Sequence, residues 1–296
     1  MSSLMINMPK VRGKLLVNAD IASSSWFKVG GPAEVLYEPA DEMDLICFMA
    51  NLDPEIPILV IGASSNILIR DGGIRGVVIK LGNFFKGIEL INNQLLVGAN
   101  IHNMMLAKYA NNNDLLGYNF LSGIPGTLGG SIKMNAGCYG KEISDIVIQV
   151  KIIDRLNGPS LMSVKDLNLK YRGSNLPNES VIVSAYLKVN KETNFDTDII
   201  ADIKNKRVKS QPITELTGGS TFKNPPGYKA WELIDKAGCR GLSIGGAMIS
   251  EMHTNFIINF NNATAKDIEN LGNVVREKVF NNSGITLDWE VIRVGF

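Results

Sequence analysis

Between Val35 and Leu81, short apolar runs alternate with one helical pattern. Met43, Ile46, Met49 and Ala50 recur every three or four residues, which predicts an amphipathic helix. The runs Ile58–Ile61, Ile67–Ile69 and Val77–Ile79 are short, largely β-branched and bounded by Gly, Asp or Pro, as buried strands are. Gly62–Asn66 is therefore a turn between strands. Ile88 to Val97 predicts a hairpin turning at Asn92-Asn93, and His102 to Asn112 places Met105, Leu106 and Tyr109 at helical spacing. Further strands are predicted at Ile146–Asp154 and Val181–Val189. The polar stretch Asn194–Thr197 opens a helix through Ile199, Ile200 and Ile203, which stops before Pro212 because proline cannot donate the helical hydrogen bond. Thr264 and Asp267 have the spacing of a capping box ahead of a helix to Phe280, whose stripe of Ile268, Leu271, Val275 and Val279 is core. Strands at Asn255–Phe260 and Leu287–Val294 flank it. The expected fold is α+β, with an N-terminal region 1–193, divided at about 18–85 and 86–193, and a small α+β domain 194–296.

A length of 296 residues supports that division, since single domains usually run to roughly 100–200 residues. Thirty Lys+Arg against 29 Asp+Glu leave a net charge of +1, so no global field draws the chain to nucleic acid or a membrane surface, and a bound anion needs a local site. The basic run Lys204–Lys209 continues a helix and reads as its solvated face. Three scattered cysteines, Cys47, Cys138 and Cys239, form neither a disulfide framework nor a CxxC pair, which fits a reducing cytoplasm. No apolar run approaches the ~18 residues that span a bilayer. With His102 and His253 the only histidines, a histidine-based metal site or triad is not expected.

Two segments are richer in small residues than turns require. Gly62, Ala63, Ser64, Ser65 and Asn66 put two hydroxyls and an amide between buried strands, where backbone N–H groups can form an anion nest suited to a pyrophosphate. Gly123, Ile124, Pro125, Gly126, Thr127, Gly129 and Gly130 belong to a nine-residue stretch so stripped of side chains that something must approach its backbone closely, a cofactor wall being the functional reading. Neither GxGxxG nor a P-loop is present. Three further places offer chemistry. Arg172, in Tyr171-Arg-Gly-Ser174, can hold a carboxylate by two hydrogen bonds. Ser220 follows two glycines, with Lys223 and Asn224 close behind as donors to an anionic or polar ligand, and a desolvated serine beside a cation can deliver a proton. Glu290 lies in the alternating segment Leu287–Val294 at the edge of the core.

Taken in order, Ser25–Gly31, Gly62–Asn66, Gly123–Gly130, Met134–Gly137, Tyr171-Arg172, Gly219–Pro225, Ser250–Asn259 and Leu287–Gly295 resemble the UDP-N-acetylenolpyruvoylglucosamine reductases (UDP-N-acetylmuramate dehydrogenases), flavoenzymes of bacterial peptidoglycan synthesis, over nearly the whole chain. The resemblance implies a flavin-binding region of the vanillyl-alcohol-oxidase (PCMH) type, with the glycine segments around FAD and the C-terminal domain on the sugar nucleotide. It further implies that NADPH, as co-substrate, reduces the flavin and leaves. The enolpyruvyl sugar nucleotide then takes a hydride from flavin N5 at its C3, with Arg172 and Glu290 stabilising the enolic intermediate and Ser220 protonating C2. The partners are thus small molecules; no nucleic acid or membrane is implied, and a monomer is compatible with the sequence. Two features depart from the family. Ser64 stands where Gly-x-Gly-Ser-Asn is common, and the short span from Arg172 to Ser220 has no room for the longer subtype's additional segment, which marks the shorter subtype. A flavin oxidase of the same fold, or a non-catalytic nucleotide-binding protein, would keep the glycine segments without needing Ser220 and its neighbours.

Overall fold

The computed structural model describes residues 8–191 and 199–296, which fold as two compact α+β units. The first takes the chain up to Asn18, Val35–Ala63 and Gly76–Asn205; the second takes Ala19–Glu34, Ser64–Arg75 and Lys206–Phe296. The boundary expected at 193/194 lies outside the described residues, and the contiguous split it implied differs from these units, because two early segments join the C-terminal one.

In the first unit one sheet runs in the order Lys14–Ala19, Ala33–Glu38, Ile74–Lys80, Ile58–Ile61, the last two parallel. Helix Glu42–Asn51 packs here, but not on the expected stripe: Met43 is 61% exposed and Ala50 faces water. The Asp44 carboxylate turns that face inward by accepting the N–H groups of Arg12 and Gly13 and the Tyr37 hydroxyl, so Asp44, Leu45, Phe48 and Met49 are buried instead. An antiparallel sheet follows, ordered Gly158–Ser163, Val147–Asp154, Ser180–Lys188, Gln94–Gly98, Ile88–Ile91. Its hairpin turns at Asn92 and Asn93, both with left-handed φ (47° and 60°), as the sequence predicts. One core, including Tyr37, Phe48 and Val77 beside Leu95, Leu106 and Val150, joins the two regions read as separate subdomains.

In the second unit, strands Thr217–Ser220, Phe256–Asn259, Ala247–Ile249 and Ser243–Ile244 form a sheet in that order. Helix Ala265–Ser283 shares its core, with Ile268, Leu271, Val275 and Val279 fully buried and the Thr264/Asp267 capping box formed. Asp71 adds its carboxylate to the first N–H groups of that helix, Ala265 (2.9 Å) and Lys266 (3.0 Å). Ile67–Ile69 pairs in parallel with Ile292–Val294. The strand expected over Leu287–Val294 is thus only three residues long. Upstream, the Glu290 and Val291 N–H groups both turn to the Thr221 carbonyl, which breaks the ladder spacing. Among the described residues no helix is long and apolar enough to cross a membrane.

Glu269 fastens this unit electrostatically, receiving Arg70 through two 2.9 Å bonds and Arg293 at 3.0 Å. The Arg70 hydrogen bonds hold its carboxyl below the ordinary value of 4.5. A depressed carboxylate contributes stability above its unfolded pKa and loses it as pH falls through the folded one. Glu269→Gln is therefore expected to cost about 1 kcal/mol at neutral pH, both arginines being partly screened by water. The melting-temperature gap between wild type and variant should close as pH drops below about 4.5; a gap constant down to pH 3 would contradict the assignment.

Candidate active site

Glycine at 62 and 129 is dictated by the protein's approach to itself. A Cβ on Gly62 would sit 2.4 Å from Thr127 Oγ1, and one on Gly129 3.1 Å from the Ala99 Cβ. The Gly129 N–H is committed to the Ala99 carbonyl at 2.8 Å, so it locks the segment in place and is not part of an open nest. Gly123 is bare for a similar reason, with Cys138 Sγ 2.9 Å and Tyr139 3.0 Å from its would-be Cβ, while Gly126 has φ +110° and accepts the Asn103 N–H. The last three residues of the stretch, from Leu128, already belong to helix Leu128–Lys133.

Gly130 is different. A Cβ there would meet nothing closer than Thr127 Oγ1 at 3.7 Å, yet glycine inside a helix costs roughly 0.5–1 kcal/mol relative to alanine. Packing gives no reason for it; a ligand lying on the backbone does. Around it opens a cleft, partly open to solvent, lined by Gly62, Thr127, Gly129 and Gly130 with Val60, Ile61, Leu81, Ala99, Asn100, Lys133, Leu176, Pro177, Ser180 and Ile182. The two glycine segments thus meet at one concave surface, mostly apolar with a few polar groups, as nucleotide cofactors require. Gly123, Ile124, Pro125 and Gly126 are not among its lining residues. Ala63 ends this stretch of the first unit, while Ser64, Ser65 and Asn66 belong to the second.

Arg172 sits in the first unit on a turn closed by reciprocal 3.0 Å bonds between Lys170 and Gly173. Its own φ is +55°, a left-handed strain of roughly 1–2 kcal/mol for a non-glycine residue. Residues 133–137 hold the turn: the Lys133 carbonyl accepts Ser174 Oγ at 2.7 Å, Asn135 Nδ2 donates to the Lys170 carbonyl, and the guanidinium reaches the Gly137 carbonyl at 3.4 Å.

In the second unit Ser220 ends its strand just after an irregularity. Thr217 pairs with Ile258 and Ser220 with Phe256, so one extra residue is accommodated at Gly218-Gly219, where Gly219 has φ +81° and a Cβ on Gly218 would strike Phe27 at 2.3 Å. Beyond it, segments 221–223 and 288–291 run side by side: the Glu290 N–H donates to the Thr221 carbonyl at 2.8 Å, the Lys223 N–H to the Asp288 carbonyl at 2.8 Å, and the Phe222 and Trp289 rings lie 5.1 Å apart. Ser220 and Glu290 are thereby brought onto neighbouring backbones. Two residues support this arrangement, Asn255, whose part the sequence reading missed, and Asn66, which it assigned to the cofactor. Asn255 brackets Phe222, accepting its N–H and donating to its carbonyl, and Asn66 Nδ2 donates to the Glu290 carbonyl at 3.1 Å. Asn224, read as a ligand donor, gives its side-chain oxygen to the Ala230 N–H at 2.9 Å and so starts helix Ala230–Lys236. No group of three or more metal-ligating side chains occurs among the described residues.

Residues 33–159 match the family described as FAD binding domain, and residues 211–294 that of the UDP-N-acetylenolpyruvoylglucosamine reductase C-terminal domain. A UDP-N-acetylenolpyruvoylglucosamine reductase of Rickettsia typhi is 48% identical over 97% of this chain and 98% of its own, and that of Rickettsia akari 48% identical over 98% and 99%. The chain belongs to the UDP-N-acetylenolpyruvoylglucosamine reductase family. The Thermus caldophilus reductase crystal structure superposes with a TM-score of 0.82 at 31% identity, covering 97% of this chain and all of that one. Membership makes the chain an oxidoreductase with an FAD-binding domain, and the cleft at Gly62 and Gly130 fits that cofactor.

Within this reductase family the serine at 64 now has a structural account. Ser64 is buried and holds φ +51°, the conformation that glycine adopts freely. Ser64→Gly relieves left-handed strain at the cost of added chain entropy, so a net gain of up to about 1 kcal/mol is expected. Thermal unfolding checks it; a loss of 1 kcal/mol would show that the buried hydroxyl matters more than the backbone.

Proposed function

We propose that this reductase converts UDP-N-acetyl-3-O-(1-carboxyvinyl)-glucosamine to UDP-N-acetylmuramate in the cytoplasm, for peptidoglycan synthesis, with NADPH as co-substrate. FAD, which the cleft at Gly62, Thr127 and Gly130 would hold, would supply the redox chemistry that links NADPH to hydride addition at C3 of the enolpyruvyl group. Electron density then accumulates on C2 and the adjoining carboxylate. Arg172 and Glu290 stabilise that enolic density, preorganised groups of this kind typically lowering a barrier by several kcal/mol. Ser220 delivers the proton to C2, and Lys223 offers its cation to the anionic substrate. Arg172 suits its part because a strained, anchored turn holds its guanidinium without rearrangement.

The observation that carries the reading is the glycine irregularity at 218–219, after which Ser220 ends its strand paired with Phe256, one residue before the Thr221 carbonyl that accepts the Glu290 N–H. A flavin oxidase or a passive nucleotide-binding protein has no use for it. The test is anaerobic: reduce the yellow protein with NADPH, then add the enolpyruvyl sugar nucleotide. Prompt return of flavin absorbance is expected; return only on admitting oxygen would replace this reading by an oxidase, and colourless protein would overturn both.

A further inference from the structure

Among the residues lining the Gly62/Gly130 cleft, Lys133 carries the charge. It lies three positions after Gly130 on helix Leu128–Lys133, so the two share a face of that helix. Its backbone is fixed from the far side, the carbonyl accepting Ser174 Oγ at 2.7 Å. Among the described residues no carboxylate pairs with it, and partial removal of water by the cleft walls lowers the ammonium below the ordinary lysine value. Lys133 stays exposed at the open side of this cleft, so its ammonium can meet an anion that enters from solvent.

We propose that Lys133 is the counter-cation of the FAD diphosphate, gripping it as it crosses the bare backbone at Gly130. This rests on the cleft being the FAD site and says which part of the cofactor lies where. Oxidised FAD carries its negative charge on the diphosphate alone, its flavin and adenine rings being neutral, so a single cation in the cleft selects that group. Gly130 gives the diphosphate room, and Lys133, one turn further along the helix, supplies the charge. The backbone N–H of Gly129 cannot share the task, because Ala99 already occupies it.

The test uses the full chain, stripped of flavin and retitrated by fluorescence with FAD and with riboflavin, which has the same ring system and no phosphate. Lys133→Met is expected to weaken FAD about tenfold to a hundredfold, the range of a lost charge-assisted contact. Riboflavin affinity should be unchanged, and the dependence of FAD affinity on NaCl concentration should flatten. Lys133→Arg should retain most of the FAD affinity. Equal weakening of both flavins would mean that the substitution damaged the cleft, and an unchanged FAD affinity would mean that Lys133 faces solvent; either overturns the proposal. Wild-type chain that takes up riboflavin and FAD equally well would instead overturn the placement of the diphosphate in this cleft.

Discussion

Ser220→Ala is expected to leave NADPH reduction of the flavin within about twofold of wild type and to slow reoxidation by the enolpyruvyl sugar nucleotide by about 10²–10⁴-fold, the usual worth of a positioned proton donor. The asymmetry follows from chemistry. Reducing the flavin requires no proton at C2 of the sugar substrate, whereas completing the product does. The serine is held by backbone alone, through the Gly218-Gly219 irregularity and its pairing with Phe256, so removing one hydroxyl should not unfold the strand. Ser220→Cys keeps a proton on the same stem and should retain part of the second step. Stopped-flow absorbance separates the halves, and equal slowing of both would remove Ser220 from the proton-transfer role.

The second large effect is expected in a helix that carries no chemistry. A Cβ at Gly272 would lie 2.1 Å from Cη2 and 2.4 Å from Cζ2 of Trp289, whose ring is held by Phe222 on one contact and by the Arg293 guanidinium, 4.6 Å from its centroid, on another. Gly272→Val must push that ring away, costing about 1–3 kcal/mol as overpacking does, and must disturb Glu290, the next residue along. The cause can be isolated by a cycle: Gly272→Ala with Trp289→Phe, which deletes the far edge of the ring, should be less destabilised than the sum of the single variants. Strict additivity would show that helix 265–283 suffers for some other reason.

What could be read from the sequence was what short-range physics sets. The Thr264/Asp267 box, the Asn92-Asn93 turn and the buried stripe of Ile268, Leu271, Val275 and Val279 each depend on residues within a few positions of one another, and all formed. Ser220 could be singled out by type and setting, because glycines before a hydroxyl are a local signal, whereas Glu290 by itself reads as a solvated strand glutamate and stood out only through the family resemblance. The reasons behind the glycines could not. Gly62 is bare on account of Thr127, and Gly272 on account of Trp289, pairs that only the tertiary fold brings together. Asn66 looked like a cofactor residue because it ends a glycine turn, and nothing nearby reveals that its amide holds the Glu290 carbonyl. The second task of Asn224 was hidden for the same reason: the partner of its side-chain oxygen, Ala230, lies past two prolines and beyond the spacing of an ordinary cap. Lys133 gave no signal, since a lone lysine among small residues reads as surface.

The parallel pairing of Ile67–Ile69 with Ile292–Val294 bears on how this chain comes off the ribosome. Asn66 and Glu290 are 224 positions apart, and segments 19–34 and 64–75 belong to a unit whose remainder starts at Lys206. During synthesis those early segments have each other, the Gly31 N–H donating to the Arg70 carbonyl at 2.9 Å, but they lack their C-terminal partners until most of the chain has emerged, and closing so long a loop is entropically costly and slow. Ile67, Leu68 and Ile69 spend that interval as an unpaired apolar strand, the kind of edge that invites pairing with another chain. The first unit, complete by Asn205, can mature meanwhile; the half of the enzyme that carries Ser220 and Glu290 is assembled last.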